Sequence, residues 1–350
     1  MNFTSPLLNW YDAHSRNLPW REQKDPYKIW LSEIILQQTR VEQGMAYYYA
    51  FVERYPGIRQ MADATEDEVL KLWQGLGYYS RARNMLHTAQ FVTRQLNGSF
   101  PSTAKEIQKL KGIGPYTAAA IASIAFNEPI AAVDGNVLRV ISRFFGIQDP
   151  VDKPDGRSQV DTLANEYLNR LRPGDFNQAI MDLGSQVCKP RNPLCSSCPI
   201  QKDCMANALG LTDKIPMKQG KTKVSEWHLD YLVLTNKGHI AMKQRTRQGV
   251  WKNLWDFPET NISSPTVRDE FPEIPSEISH STQIPELLAT FSHKLSHRDI
   301  TARFFLLHIS NTPDTINGQN VIWTPKKRFG ELAVPILIEK FWSKHQQNFD

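Results

Sequence analysis

The chain has no run of eighteen apolar residues, the length a membrane-spanning helix needs. Its start, MNFTSPLLNWYDAHSRNLPW, lacks a basic stretch followed by an apolar block, so it does not read as a secretion signal. Thiols are scarce, with four cysteines in 350 residues. The expected compartment is therefore the reducing cytoplasm, where clustered thiols more often bind metal than pair as disulfides. Positive charge is in only small excess, net +5, which permits a nucleic-acid partner without demanding one. The local basic pairs Arg81 and Arg83, Arg139 and Arg143, and Lys189 and Arg191 read most simply as solvated helix faces. The hydrophobic fraction, 41%, is ordinary for a globular protein, and the length allows two domains with separate cores.

Residues 1–210 carry helical patterning. Ser5-Pro6 and Asp25-Pro26 look like an N-cap followed by a first-turn proline. Thr65 with Glu68, and Thr103 with Glu106, fit capping boxes. Apolar residues then recur at helical spacing through YTAAAIASIAF, VLRVISRFF and FNQAIMDLGSQV. Residues 211–226 are polar and lysine-rich, as a linker would be. Residues 227–350 change period: HLDYLVLTNKGHIAMKQR predicts two strands around a turn, ITARFFLLHI another strand, and VPILIEKFWSKH a closing helix. The expected fold is multidomain, all-helical first and α+β second.

All four cysteines lie in CKPRNPLCSSCPIQKDC, with the spacing Cys-x6-Cys-x2-Cys-x5-Cys over 188–204. Thiolates at this density hold either zinc or an iron–sulfur cluster. Only one close Cys-x-x-Cys pair is present, and three unequal loops suit a cubane approached from several directions. Directly after the helix FNQAIMDLGSQV, the spacing resembles the cluster loop of the endonuclease III superfamily of DNA glycosylases. That resemblance implies one four-iron, four-sulfur cluster on Cys188, Cys195, Cys198 and Cys204, with Lys189 and Arg191 reaching the DNA backbone.

LKGIGPYTAAA places Gly112 and Gly114 in a tight turn before a proline-started helix. Backbone N–H groups at such a turn can hold a DNA phosphate. Twenty residues further on stands VDGNV, and the pair is similar to the helix-hairpin-helix plus catalytic-aspartate pattern of the superfamily. Asp134 could be a mere helix cap. The resemblance makes it the carboxylate that stabilises or traps the sugar cation. Asn136 would orient that loop. Where bifunctional members carry a lysine that forms a Schiff base, this chain has Tyr116, so strong lyase activity is not expected.

Glu33 sits among Leu31, Ile34, Ile35 and Leu36. An apolar setting raises a carboxyl pKa, so Glu33 could keep a proton near neutrality and act as a general acid; the helix alone favours a surface or ion-paired glutamate instead. LSEIILQQT, LPWR, GLGYYSRARN and FNQAIMDLG together resemble the adenine DNA glycosylase (MutY) family from about Trp10 to Cys204. The resemblance implies that Arg21 and Gln178 line an adenine pocket. Gln38, Thr39, Leu76 and Tyr78 would work from the duplex side, Tyr78 as a wedge that offsets the cost of base flipping. The second half is similar to the family's Nudix-like C-terminal domain through GVWKNLWDFPE and GELAVP. The stretch ETNISSPTVRDEFPEI lacks the paired glutamates of a Nudix hydrolase, so recognition rather than hydrolysis is expected. Phe291, Ser292 and His293 match the segment that detects 8-oxoguanine. The implied partner is duplex DNA with adenine opposite 8-oxoguanine or guanine, bound by a monomer with no membrane role, at the nucleoid if the source is bacterial. A pyrimidine-specific glycosylase, an iron–sulfur regulator and a nucleotide-pool hydrolase fit these residues less well.

Overall fold

The computed structural model describes residues 1–220, 224–260, 275–278, 284–295 and 297–349. The chain divides into two compact units, Met1–Asp63 with Asn84–Lys221, and Ala64–Arg83 with Thr222–Asp350. No helix among the described residues is long and apolar enough to cross a membrane.

The first unit is helical: α1 (Thr4–His14), α2 (Pro26–Ile35), α3 (Val41–Arg54) and α4 (Ile58–Ala62). In the second unit's segment lie α5 (Glu66–Leu72) and the start of α6 (Ser80–Gln95). The first unit continues with α7 (Ala104–Ile107), α8 (Pro115–Phe126), α9 (Gly135–Phe145), α10 (Pro154–Glu166), α11 (Pro173–Gln186) and α12 (Met205–Ala208). Local chemistry explains several starts. The Asp25 carboxylate accepts from Tyr27 N at 2.9 Å, with Pro26 in the first turn. Thr65 and Glu68 form both bonds of a capping box. One expectation fails: α1 begins at Thr4, after Phe3, and Ser5 is no cap. Burial of Phe3 against Phe144, 4.8 Å between ring centres, sets that entry instead.

The core of this unit is built from Phe3, Val137, Val140, Phe144, Phe176 and Leu183, and Cys188, Cys198 and Cys204 pack against it. It therefore clamps α1, α9 and α11 around the cysteine loop. Small alanines, Ala119 and Ala120, let α8 approach the extended 131–133 segment closely.

The second unit holds a mixed sheet: β1 (Ser225–Asn236), β2 (His239–Gln244), β3 (Trp255–Asp256), β4 (Glu286–Lys294), β5 (Arg298–His308), β6 (Thr315–Ile316) and β7 (Gln319–Pro325), closed by α13 (Ile336–His345). The order is β4-β5-β1-β2-β7-β6, with β3 on β2. β1 pairs in parallel with β5 and is buried from Leu229 to Thr235, as a central strand should be. The β1–β2 turn puts Lys237 and Gly238 at φ 44° and 75°, the left-handed pair that a two-residue hairpin needs. Phe304 stacks on Phe341 at 4.0 Å and 7°, fastening α13 to the sheet. Segment 64–83 is bonded into this unit through Lys71 Nζ to Leu332 O at 3.0 Å and Arg83 Nη1 to Lys252 O at 2.8 Å. The stretch in which the Nudix glutamates are missing includes 261–274, which lie outside the described residues.

Candidate active site

A cleft of about 1080 Å³ opens in the first unit. Arg21, Glu33, Gln38, Thr39, Gly114 and Tyr116 line it, and Asp134, Asn136 and Gln178, distant in sequence, join the same walls. Each arrives from a different element. Helix α2 delivers Glu33 close to its end, and Gln38 follows at φ 58° where the chain turns away. The α7–α8 hairpin delivers Tyr116. Its Gly112 stands at φ 80°, and a Cβ there would lie 2.6 Å from Asn84. Gly114 offers no side-chain cap, which leaves the N–H groups that open α8 available to an anion.

Asp134 is the N-cap of α9. Its Oδ1 accepts from Asn136 N and Val137 N, both at 2.8 Å, and its Oδ2 accepts from Asn136 Nδ2 at 2.8 Å. Cap and site are thus the same residue. Burial raises its pKa, while the Val137 and Asn136 donors oppose that rise. Glu33 keeps some surface open to the cleft, but protein crowds its carboxyl group. Burial pushes it up to about 7, against the Tyr116 hydroxyl that donates to Oε2 at 2.7 Å and the charge of Arg21; the charge of Asp134 adds to the rise. Two carboxyl groups in one cleft therefore sit in unlike settings, one short of donors and one supplied with three.

The sequence did not single out Arg139 as part of this site. It is buried, and so is Arg143, so neither lies on a solvated face. Arg139 donates through Nη2 to Asn136 Oδ1 at 2.8 Å and through Nε to Cys188 O at 2.8 Å. Arg143 donates to Cys188 Sγ at 3.4 Å and to Lys189 O at 2.7 Å. One helix face ties Asp134's partner to the cysteine loop. The signal available in sequence was the four-residue spacing of the two arginines inside an apolar helix. Gly184 permits the approach of α11, since a Cβ there would stand 2.7 Å from Asn136 Cβ. Asp182 is a second site residue that no sequence motif singles out. It is fully buried and bridges Arg16 and Arg21.

The four cysteines face one cavity with Val140, Arg143 and Phe144. Among the described residues no three His, Cys, Asp or Glu side chains converge tightly enough for a single metal ion. Burial pushes the Cys198 thiol up to about 12 and raises Cys195 and Cys204. As thiolates they need a cationic partner, and four sulfurs spread around one cavity fit a cluster in which each iron takes one thiolate. Lys189 and Arg191 are exposed on this loop.

In the second unit, Leu76, Tyr78 and His293 line a separate cleft of about 530 Å³ with Arg83, Trp251 and Arg298. Tyr78 is exposed, at φ 47°. Alternation along β4 turns Phe291 toward Phe304, 5.8 Å between centres, and sends Ser292 to the other face. Burial beside Lys340 lowers the pKa of His293.

Comparison with known proteins places both halves of the chain in known families. Residues 31–169 match the HhH-GPD superfamily of base excision DNA repair proteins, 230–344 a NUDIX domain, and 188–204 the iron-sulfur binding domain of endonuclease III. A solved thermostable thymine-DNA glycosylase superposes with a TM-score of 0.54 at 29% identity, over 59% of this chain and 95% of that one. An adenine DNA glycosylase of Buchnera aphidicola subsp. Baizongia pistaciae is 35% identical over 98% of this chain and 96% of that one. The adenine DNA glycosylase of Homo sapiens is 31% identical over 98% of this chain and 74% of that one.

Hairpin, cleft and cysteine loop together define a helix-hairpin-helix DNA N-glycosylase that carries one four-iron, four-sulfur cluster in its 188–204 segment. Its second domain is of the Nudix type. Within that class the chain belongs to the adenine DNA glycosylase family.

Proposed function

We propose that this enzyme flips out adenine mispaired with 8-oxoguanine, or with guanine, and hydrolyses its N-glycosidic bond. The observation that carries this is the pair of unlike carboxyl groups, Glu33 and Asp134, on the walls of one cleft. Adenine leaves poorly unless protonated. Glu33, holding a proton near pH 7, gives it to N7 as the C1′–N9 bond breaks and the bonding pair passes into the purine. Positive charge grows on the deoxyribose. Asp134, whose three donors favour its carboxylate form against the rise that burial causes, stabilises or traps that cation until water adds at C1′; the water's proton restores Glu33. Tyr116 offers a phenol committed to Glu33 and no amine, so no imine forms and the enzyme is monofunctional.

Arg21 and Gln178 suit the adenine edge. Gln178 spends Nε2 on Gly174 O at 3.3 Å, which leaves Oε1 to accept from the N6 amine, while Arg21 donates to a ring nitrogen. Gly112 and Gly114 at the hairpin, and Lys189 and Arg191 on the cluster loop, hold phosphates. The cluster, bound by Cys188, Cys195, Cys198 and Cys204, orders that loop. Gln38 and Thr39 enter the duplex beside the flipped base. Leu76 and Tyr78 work with His293 and the adjoining Phe291 and Ser292 on the orphaned 8-oxoguanine, and the basic rim of Arg83 and Arg298 supports that cleft as a DNA surface. We place the protein with its DNA as a monomer, in the cytoplasm or the bacterial nucleoid.

Duplexes holding A opposite 8-oxoG, A opposite G, A opposite T and T opposite G, heated with and without alkali, test this. Strand breaks are expected at the first, more slowly at the second, and only after alkali. Breaks at T, at A opposite T, or without alkali would contradict the substrate or the monofunctional chemistry. Gly184→Ala should push Asn136 off Asp134 and slow single-turnover release by about 10²-fold, because misplacing a reacting group by an ångström is that costly.

A further inference from the structure

Asp182 is a fully buried carboxylate with a cation on either side. Arg21 places Nη1 and Nη2 on its two oxygens at 2.8 and 3.0 Å, a fork-to-fork pair. Arg16 adds Nε to Oδ1 at 2.7 Å, and its backbone N lies 3.3 Å from Oδ2. Arg21 also gives Nη1 to Arg16 O at 3.2 Å and lies over the Tyr11 ring at 5.7 Å. Three of its five N–H groups are thereby spent on the protein. Nε–H and one N–H of Nη2 remain, on a side chain that lines the cleft. A buried ion triad is no better for stability than apolar packing, so a local job is the more economical reason for it.

We propose that Asp182 is a positioning residue with two tasks: it fixes the Arg21 fork at the wall that receives the flipped base, and its charge shields Glu33 from the arginine. This rests on the reading of Glu33 as general acid. Burial alone would raise the pKa of Asp182, but the Arg21 and Arg16 bonds and charges override that and hold it below the usual carboxylate range, so the shield is permanent near neutrality. The groups facing Glu33 are Tyr116 from α8, Asp134 from the N-terminus of α9, and Arg21 from the turn before α2, while Arg40 and Glu42 line the same cleft beside the start of α3. Arg21 is the one whose charge opposes a proton on Glu33, and Asp182 and Arg16 stand behind it.

Asp182→Asn keeps the shape, removes the negative charge, and leaves Arg21 unshielded, so ionised Glu33 is favoured. The alkaline limb of single-turnover excision should move to lower pH by about half a unit or more. Arg16→Gln removes a cation from a partly exposed side chain and should move the limb to higher pH. The same opposed shifts should appear in the Glu33 carbonyl stretch, assigned by its loss in Glu33→Gln and titrated without turnover. A purely structural Asp182 would lower rate and melting temperature evenly across pH, and limbs and infrared midpoints unmoved in both variants would overturn the proposal. If Asp182→Asn does not fold, Arg16→Gln decides alone. A wild-type rate with no alkaline limb would instead count against Glu33 as the acid, while the infrared titration still judges Asp182.

Discussion

Asp134→Asn is expected to lose at least about 10³-fold in single-turnover adenine release while binding duplex as tightly as the wild type or more so. Two tasks of one side chain come apart in this variant. As N-cap of α9, Asp134 satisfies Asn136 N and Val137 N through Oδ1. Asparagine caps a helix about as well as aspartate, so the start of α9 should survive. The other oxygen accepts from Asn136 Nδ2, and an amide nitrogen in its place would face that donor with another donor. Asn136 cannot simply turn over, because its Oδ1 is held by Arg139 Nη2. The conflict costs about 1 kcal/mol, small beside the loss of a full negative charge next to an oxocarbenium-like sugar. Losing that charge also removes repulsion from DNA phosphates, which is why affinity should not fall. The measurement is burst-free excision under enzyme excess, paired with gel-shift affinity and a melting curve. Wild-type turnover in Asp134→Asn would remove the carboxylate from the mechanism; lost binding or a collapsed melting transition would make it a folding residue.

Sequence reaches furthest here where the determinant is local. Asp25, the Thr65–Glu68 box and the φ-positive Gly112 each act within a few residues, and each stands where the pattern puts it. The cysteine loop was legible for a related reason: a chelate is defined by donor type and spacing over seventeen positions of chain. Phe3 shows the opposite case, since a buried aromatic contact 141 positions away outweighs the local cap at Ser5. Arg139 and Arg143 read as surface charges because charge is a local property and burial is not. What buries them is a row of carbonyls, Gly184 O from α11 and Cys188 O and Lys189 O from the loop after it, all distant in sequence. The grouping of residues 64–83 with the sheet unit is equally invisible along the chain, because the bonds that secure it join Lys71 to Leu332 and Arg83 to Lys252. Asp182 has a sequence signal of its own: it lies four positions after Gln178 on the same helix face, in a polar row that Gln186 continues.

Glu33→Gln should abolish the proton donation and with it the pH dependence of excision. A carboxyl pKa near 7 means that wild-type rate falls as pH rises through 7, since only the protonated form can give a proton to N7. Glutamine has no such proton at any pH, so the variant's residual rate should be flat across that range and lower by about 10²- to 10⁴-fold, the usual contribution of general acid catalysis. Stability should move the other way. Glu33's pKa is raised on folding from its ordinary 4.5 to about 7, so the folded state binds the proton more tightly than the unfolded chain. The penalty of burying the charge is absent below pH 4.5, grows between 4.5 and 7, and is complete above 7. Its size corresponds to about 3 kcal/mol at most, reduced by whatever water reaches the carboxyl from the cleft. The introduced glutamine can still accept the Tyr116 hydroxyl, which donates to Glu33 Oε2 at 2.7 Å in the wild type, so packing is preserved. Glu33→Gln should therefore melt at a higher temperature than the wild type at pH 8 and at the same temperature at pH 4. Equal melting temperatures at both pH values would mean that the carboxyl is not desolvated, and the reason for its proton at neutrality would be gone. A stabilised and inactive Glu33→Gln is the pattern expected of a group held in an unfavourable state because the chemistry requires it there.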